Sequence, residues 1–184
     1  MNPNQVIDLL TQHQPHDALE TAHRDRLLAF VRSAPEAFWR RSHLIGHVTA
    51  SAWLVSPDRR QVLLVHHRKL DRWLQPGGHI EQDSDVLSAA LREAREETGL
   101  ADLAHAATAI FDVDIHPIPG RGDEPAHEHF DIRFCFVADP TDTLAISDES
   151  NHLRWFTLDA LAAMPFDASI HRMIDKTSAI TVPR

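Results

Sequence analysis

The 184-residue sequence contains one cysteine, Cys135, and no tyrosine. A single cysteine excludes a disulfide framework, and we therefore expect a protein of the reducing cytoplasm. No hydrophobic run approaches the roughly 18 residues of a membrane-spanning helix, which predicts that the chain has none. The first residues, Met1-Asn2-Pro3-Asn4, are neither basic nor strongly apolar, so we expect no secretory signal.

Basic side chains are also scarce. The 18 Lys and Arg residues face 27 Asp and Glu residues, giving a formal net charge of -9. This balance argues against broad nucleic-acid binding, which requires a basic surface. An anionic small-molecule substrate remains compatible with the sequence. A metal ion would then neutralise the repulsion between the substrate and the acidic protein.

The N-terminal part of the chain has helical periodicity over residues 4–40. Asp17 is a candidate helix cap, with Glu20 three residues later, and Pro35 marks the helix end. An apolar stripe is supplied by Leu19, Leu27, Leu28, Phe30 and Val31. We interpret residues 1–42 as a helical extension and residues 43–184 as the main domain, because the extension is too short to bury a core alone.

Strand-like and helical segments alternate after the extension. Alternating or continuous apolar patterns predict strands at 47–55, 61–67, 110–116, 130–138 and 153–156. Helices are predicted at 85–98 and 158–164, and loops at 73–78 and 117–129. This order, with hairpin-like connections, predicts an α/β/α sandwich with a mixed β-sheet.

The predicted helix at 85–98 holds three carboxylates that converge on one side. Glu96 and Glu97 follow Glu93 by three and four residues, which places them one helical turn away. Such a cluster of oxygen ligands suits Mg²⁺ or Mn²⁺. A solvated acidic helix face is the alternative, but Gly77-Gly78 before the helix and Gly99-Leu100 after it favour a ligand site.

The segment from Gly78 to Leu100 resembles the Nudix box, G-x5-E-x7-R-E-U-x-E-E-x-G-U, in which U is a bulky apolar residue. Arg92-Glu93, Glu96-Glu97 and Gly99-Leu100 match the box. The flanking strands and the later tryptophan are similar to the same family over roughly residues 45 to 165. The resemblance implies a Nudix-like fold.

Two positions depart from the box. Ala94 replaces a bulkier apolar residue, and Ser84 stands where the first glutamate is expected. Asp83 and Asp85 flank Ser84 and are candidate substitutes for the missing carboxylate. We favour the simpler interpretation that Ser84 or Asp83 caps the helix.

The resemblance implies a metal-dependent hydrolase that cleaves a diphosphate linked to another moiety, by attack of water at phosphorus. It also implies that Glu93, Glu96, Glu97 and the Gly78 carbonyl bind the metal, while Arg92 supports the carboxylates. The general base in the family is either the residue matching Glu93 or an acidic residue on a later loop. Glu149 is the candidate on that loop, with Asp148 as the fallback.

The identity of the substrate is less constrained. The resemblance implies a nucleoside diphosphate derivative as the substrate. The absent tyrosine removes a mark of many dinucleoside-polyphosphate hydrolases of the family, and no particular substrate is predicted. A homodimer is left open. One alternative is a non-catalytic binding or regulatory module, suggested by Ser84. A diphosphate isomerase of the same fold would need a catalytic cysteine, and Cys135 lies far beyond the box.

Several other polar and aromatic residues are weaker candidates. His127-Glu128-His129 has the spacing of two ligands on one strand face, but no third zinc ligand is apparent, so we favour a substrate-facing loop. The run of His66, His67, Arg68 and Lys69 leads towards the box. These side chains either contact substrate phosphates or form an ordinary polar strand end, and the sequence favours neither interpretation. Trp73 and Trp155 are expected to support the core.

Overall fold

One mixed sheet of eight strands, surrounded by helices, forms the computed structural model, which describes residues 1–122 and 125–179. The helices are α1 (Pro3–Gln12), α2 (Ala18–Ser33), α3 (Val86–Thr98), α4 (Leu158–Ala162) and α5 (Ala168–Ala179). The strands are β1 (Gly46–Val55), β2 (Gln61–His67), β3 (Arg72–Leu74), β4 (Gly77–His79), β5 (Ala104–His105), β6 (Asp112–Ile118), β7 (His127–Val137) and β8 (Ser150–Thr157). None of the described helices is long and apolar enough to cross a membrane.

Strand β1 lies at the centre of the sheet. It runs parallel to β7, with pairing from Gly46 opposite Glu128 to Val55 opposite Val137. Strands β2 and β4 pair with β1 in the antiparallel sense, as β8 does with β2 and β6 with β7. The predicted mixed sheet is therefore confirmed.

The two faces of the central strands have different chemistry, because successive side chains of a strand point to opposite faces. One face is apolar and packs against α2 and α3; its central residues are Val48, Ala50, Ala52, Leu54, Phe130, Ile132, Phe134 and Phe136. The other face begins with histidines, continues through charged side chains and ends in a smaller core around Trp53, Cys135 and α5. Residues of α5 and the second face thus complete the sandwich.

The N-terminal region consists of two helices rather than one continuous helical segment. Asp17 caps α2 as predicted, accepting a hydrogen bond from the backbone N–H of Glu20 at 2.7 Å. Leu19, predicted to be in the apolar stripe, is 46% exposed. Val6, Leu10, Leu27, Phe30 and Val31 belong to the same buried cluster as the sheet and α3. The boundary at residue 42 stays a prediction.

The structure differs from the local predictions in three places. The loop predicted at 117–129 is shorter than expected, because β6 continues to Ile118 and β7 begins at His127; residues 123 and 124 of this stretch lie outside the described residues. The stretch at 73–78 contains the short strands β3 and β4. Helix α5 was not predicted, and its Arg172 bonds to Asp112 on β6.

A buried charge network joins the helical ends of the chain to the sheet. Asp112 on β6 is fully buried and accepts hydrogen bonds from Arg133, Arg172 and Lys176 at 3.2, 2.7 and 2.9 Å. Lys176 also bonds to the buried carboxylate of Glu20 in α2. Burial would raise the pKa of Glu20, but its hydrogen bonds to His13, the His16 backbone and Lys176 lower it to about 2.

We expect Asp112→Ala to lower the free energy of unfolding by about 3–5 kcal/mol, because it leaves three cations without their shared carboxylate in a buried site. Urea unfolding measures this loss. The matched control is Asp25→Ala, which removes an ion pair with a 60% exposed carboxylate. It should change stability by less than about 1 kcal/mol. Equal effects of the two substitutions would contradict a structural role for the network.

Candidate active site

Helix α3 begins and ends with well-defined caps. Asp85 is the N-cap, with extended backbone angles (φ -155°, ψ 169°), and its Oδ1 accepts the Ser88 N–H at 2.8 Å. Gly99 ends the helix in the left-handed conformation at φ 75°. The predicted helix is thus confirmed, but the prediction that Ser84 or Asp83 forms the cap was wrong. The Ser84 hydroxyl instead donates to Asp85 Oδ2 at 2.9 Å.

Arg92 holds the carboxylates of the site together. Its guanidinium donates to Asp83 at 3.0 and 3.1 Å, to Glu93 at 2.9 Å and to Glu96 at 3.0 Å. It also donates to the His79 carbonyl oxygen at 2.9 Å. Asp83, one of the two carboxylates that flank Ser84, is therefore the one that binds Arg92.

Glu93 lies directly against Gly78. A Cβ atom placed on Gly78 would come within 2.7–2.8 Å of the carboxyl atoms of Glu93, so no larger residue fits there without displacement. Burial raises the pKa of Glu93, although the Arg92 charge and hydrogen bond act in the opposite direction. The short glycine strand β4 thus brings its backbone close to a half-buried carboxylate.

Glu97 has the most perturbed carboxyl group of the cluster. Burial, followed by the neighbouring charge of Glu93, raises its pKa to about 8; Glu149 and Glu96 add to the rise, and a hydrogen bond from the Gly77 backbone opposes it. Carboxylates held together in this way repel one another until a cation compensates them. Gly77 was not among the predicted site residues, although the Gly-Gly pair was the available signal.

Glu149 comes close enough to Glu97 to affect its ionisation, although it lies on a different loop. The Glu149 side chain is exposed, and its carbonyl oxygen accepts the backbone N–H of Arg68 at 2.9 Å. The Arg68 side chain bonds to the Ser150 carbonyl oxygen at 3.3 Å. Arg68 thus holds the loop before β8, while Asp148 is an exposed neighbour.

The other candidates lie elsewhere. Trp73 packs edge-on against Phe156 with ring centroids 4.9 Å apart, and Trp155 packs against the main core. His66 contacts Trp73 rather than the carboxylates. Cys135 is buried in the second core, and burial raises the pKa of its thiol to about 12, which does not suit a catalytic thiolate.

The donors of this site fit a hard divalent cation. Glu93 and Glu97 offer half-buried carboxylates, Glu96 is exposed beside them, and Gly78 leaves room for close approach of its backbone. Burial first, and then the Glu93 charge, raise the pKa of Glu97, so a cation beside this carboxylate would favour its ionised form. Oxygen-only donor sets of this kind suit Mg²⁺ or Mn²⁺.

Comparison with known proteins gives a family match that covers most of the chain. The sequence model of the NUDIX domain matches residues 46–176. A CMP-5'-(N-acetyl-N-hydroxy-3-aminopropyl)phosphonate hydrolase of Streptomyces rubellomurinus is 27% identical over 66% of this chain and 57% of its own length. A probable DHNTP pyrophosphohydrolase of Lactococcus lactis subsp. cremoris is 32% identical over 47% of this chain and 51% of its own length. The chain thus spans little more than half the length of these two relatives.

Solved structures agree on the fold. The Ap4A hydrolase of C. elegans, determined as a binary complex, superposes with a TM-score of 0.56 at 18% identity, covering 72% of this chain and 95% of that one. A MutT protein from Methanosarcina mazei gives a TM-score of 0.53 at 17% identity, covering 74% and 95%. Identities this low establish the fold alone.

Asp85→Ala should lower the free energy of unfolding by roughly 1 kcal/mol, because the first turn of α3 loses its capping carboxylate. Thermal or urea unfolding is the measurement. Ser84→Ala is the control, since its hydroxyl contacts only side chains, and it should change stability by less than about 0.5 kcal/mol. A larger loss in Ser84→Ala than in Asp85→Ala would restore Ser84 as the cap.

Proposed function

The chain belongs to the NUDIX family, and from this premise we propose that it is a metal-dependent pyrophosphohydrolase. Its substrate would be a nucleoside diphosphate linked to another moiety, cleaved by water attack at phosphorus. The carboxylate cluster on α3 is the observation on which the proposal rests. Glu93, Glu96, Glu97 and the Gly78 carbonyl would bind Mg²⁺ or Mn²⁺, with Arg92 as structural support.

The charges of the site explain why a cation is needed. A diphosphate brings further negative charge to a chain whose net charge is already -9. Bound divalent cations supply charge neutralisation and lower the pKa of a bound water molecule. Arg92 cannot take over this task, because its guanidinium is already bonded to Asp83, Glu93 and Glu96.

Glu149 is the general base in this proposal. Glu93, the other candidate, is bonded to Arg92 and pressed against Gly78, an environment that suits a ligand held in place. Glu149 is exposed to water and lies near Glu97, on a loop fixed by Arg68. Its carboxylate can accept a proton from the attacking water while the α3 carboxylates remain bound to metal.

The substrate class draws support from the relatives. The Streptomyces protein is named as the hydrolase of a CMP-linked phosphonate, and the Lactococcus protein as a pyrophosphohydrolase. Nucleoside diphosphate derivatives are therefore the first compounds to test. A cytoplasmic location forms part of the proposal because Cys135 is the only cysteine. A homodimer would be detected by measuring the molar mass of the protein in solution.

The full-length protein should release phosphate-containing products from a panel of nucleoside diphosphate derivatives only when Mg²⁺ or Mn²⁺ is present. Glu97→Gln should reduce activity by at least about 100-fold and weaken Mn²⁺ binding in calorimetry, because an amide replaces a carboxylate ligand. Glu36→Gln, at an exposed position outside the site, is the matched control. Folded protein that binds panel compounds without cleaving any of them would support the non-catalytic module instead.

Glu149→Gln should lower kcat by about 10²–10⁴-fold, the range of positioned proton transfer, while Mn²⁺ affinity stays near that of the wild type. Steady-state kinetics at saturating Mn²⁺ and calorimetry separate the two properties. Asp148→Asn, on the adjacent residue, should leave kcat within about twofold of the wild type. If Glu93→Gln abolishes turnover with Mn²⁺ affinity intact, and Glu149→Gln remains active, Glu93 is the base.

A further inference from the structure

Five histidines from four strands meet on the sheet face opposite α3. Neighbouring rings lie with their centroids 4.8–5.5 Å apart. The group, called here the histidine cluster, comprises His47 on β1, His79 on β4, His116 on β6, and His127 and His129 on β7. The proposed hydrolase mechanism assigns no role to the imidazoles of this cluster.

Three members present their ring nitrogens to one another. His47, His127 and His129 each offer one ligand nitrogen, and these nitrogens all lie within 4.8 Å of one another. The parallel pairing of β1 and β7 creates this arrangement, because His47 is opposite His129 and His127 precedes it on the same face. The third ligand, which no local spacing suggests, thus comes from a strand about 80 residues away in the chain.

His47 provides the strongest indication of a missing partner. Its side chain is fully buried, and neither ring nitrogen has a hydrogen-bond partner within the described part of the chain. A buried polar group without a partner is unfavourable and is rare in native proteins. A cation bound between the three rings would satisfy one of these nitrogens.

His127 is oriented as metal-binding histidines commonly are. Its Nδ1 lies 3.0 Å from the carbonyl oxygen of Pro125. A carbonyl can only accept a hydrogen bond, so Nδ1 carries a proton and Nε2 is the nitrogen available to a metal. Such an outer hydrogen bond fixes the tautomer and orientation of a histidine that ligates metal through its other nitrogen.

Two of the three rings, those of His47 and His129, also favour the neutral form that a metal requires. Burial lowers the pKa of His47 to about 4, and the charges of His79, His127, Arg41 and His43 add to this effect. Burial likewise lowers the pKa of His129 well below its ordinary value. The Arg41 charge also opposes cation binding, but the neutral imidazoles of His47 and His129 remain good ligands near pH 7.

We propose that His47, His127 and His129 bind one divalent transition-metal ion of the zinc class. Zinc–nitrogen bonds of about 2.0–2.1 Å require the three nitrogens to approach to about 3.4 Å, which modest ring rotations can achieve. The site is separate from the α3 carboxylates, because Gly78 and Glu93 lie on the opposite face of the sheet. Nitrogen ligands favour zinc, cobalt or nickel, whereas the carboxylates favour magnesium and manganese.

The test uses untagged, full-length protein freed of metal with a chelator, because a polyhistidine tag binds the same ions. Zinc affinity is measured by competition with a chromophoric chelator, and Co²⁺ is used as a spectroscopic probe. In the Glu97→Gln background, which weakens the carboxylate site, one equivalent of Zn²⁺ should still bind. Co²⁺ should show visible absorption of nitrogen ligation in a low-coordinate site.

His127→Asn and His129→Asn should each weaken this zinc binding by at least about tenfold and abolish the Co²⁺ absorption. His105→Asn is the matched control, since His105 is an exposed strand histidine paired with the other end of β7. Circular dichroism and melting of the metal-free variants check that they fold; His47→Asn is avoided because that residue is fully buried. The proposal is overturned if the Glu97→Gln protein binds no zinc, or if folded His127→Asn and His129→Asn bind it as tightly as His105→Asn.

Discussion

The parallel pairing of β1 with β7 is the constraint on which the rest of the structure depends. Ten consecutive residue pairs join the two strands, so every side chain on one strand has a fixed neighbour on the other. Because side chains alternate between faces, this single register creates an apolar face and a polar face at once. The apolar face receives α3, and with it the carboxylates. The polar face places His47 beside His129 and the Thr49 hydroxyl 3.0 Å from Asp131.

Buried charge, rather than apolar contact alone, ties both ends of the chain to this sheet. Asp112 is shared by Arg133 of β7 and by Arg172 and Lys176 of α5, while Glu20 connects Lys176 to α2. Desolvating so many ions is unfavourable, and their pairing offsets that penalty only when every partner is in place. The network therefore specifies where α2 and α5 dock more than it adds to total stability. The N-terminal helices consequently share one core with the sheet, although the sequence pattern suggests an extension.

Local signals explain which features could be predicted from the sequence. The ends of α3, the strands on either side of it and the convergence of Glu93, Glu96 and Glu97 all depend on residues within a few positions of one another. The identity of the cap could not be decided in this way, because Ser84 and Asp85 are both good capping residues and only the backbone angles distinguish them. Helix α5 escaped prediction because its polar residues bind charges on β6. Likewise, the third ligand beside His127 and His129 lies on β1, and only the strand register brings His47 to it.

The two proposed ion sites differ in ligand chemistry, and the sheet separates them. Glu93 is directed to one face beside Gly78, while His47 lies on the other face of the same central sheet. Hard oxygen donors and neutral imidazoles select different cations from a mixed pool, since ligand type decides selectivity where raw affinity does not. Strand β4 lies between them: Gly78 contacts Glu93, while the next residue, His79, lies 4.9 Å from His47 between ring centroids. A cation bound by the imidazoles would fix the start of β1 and β7, and through β4 it would stabilise the backbone on which the carboxylate site is built.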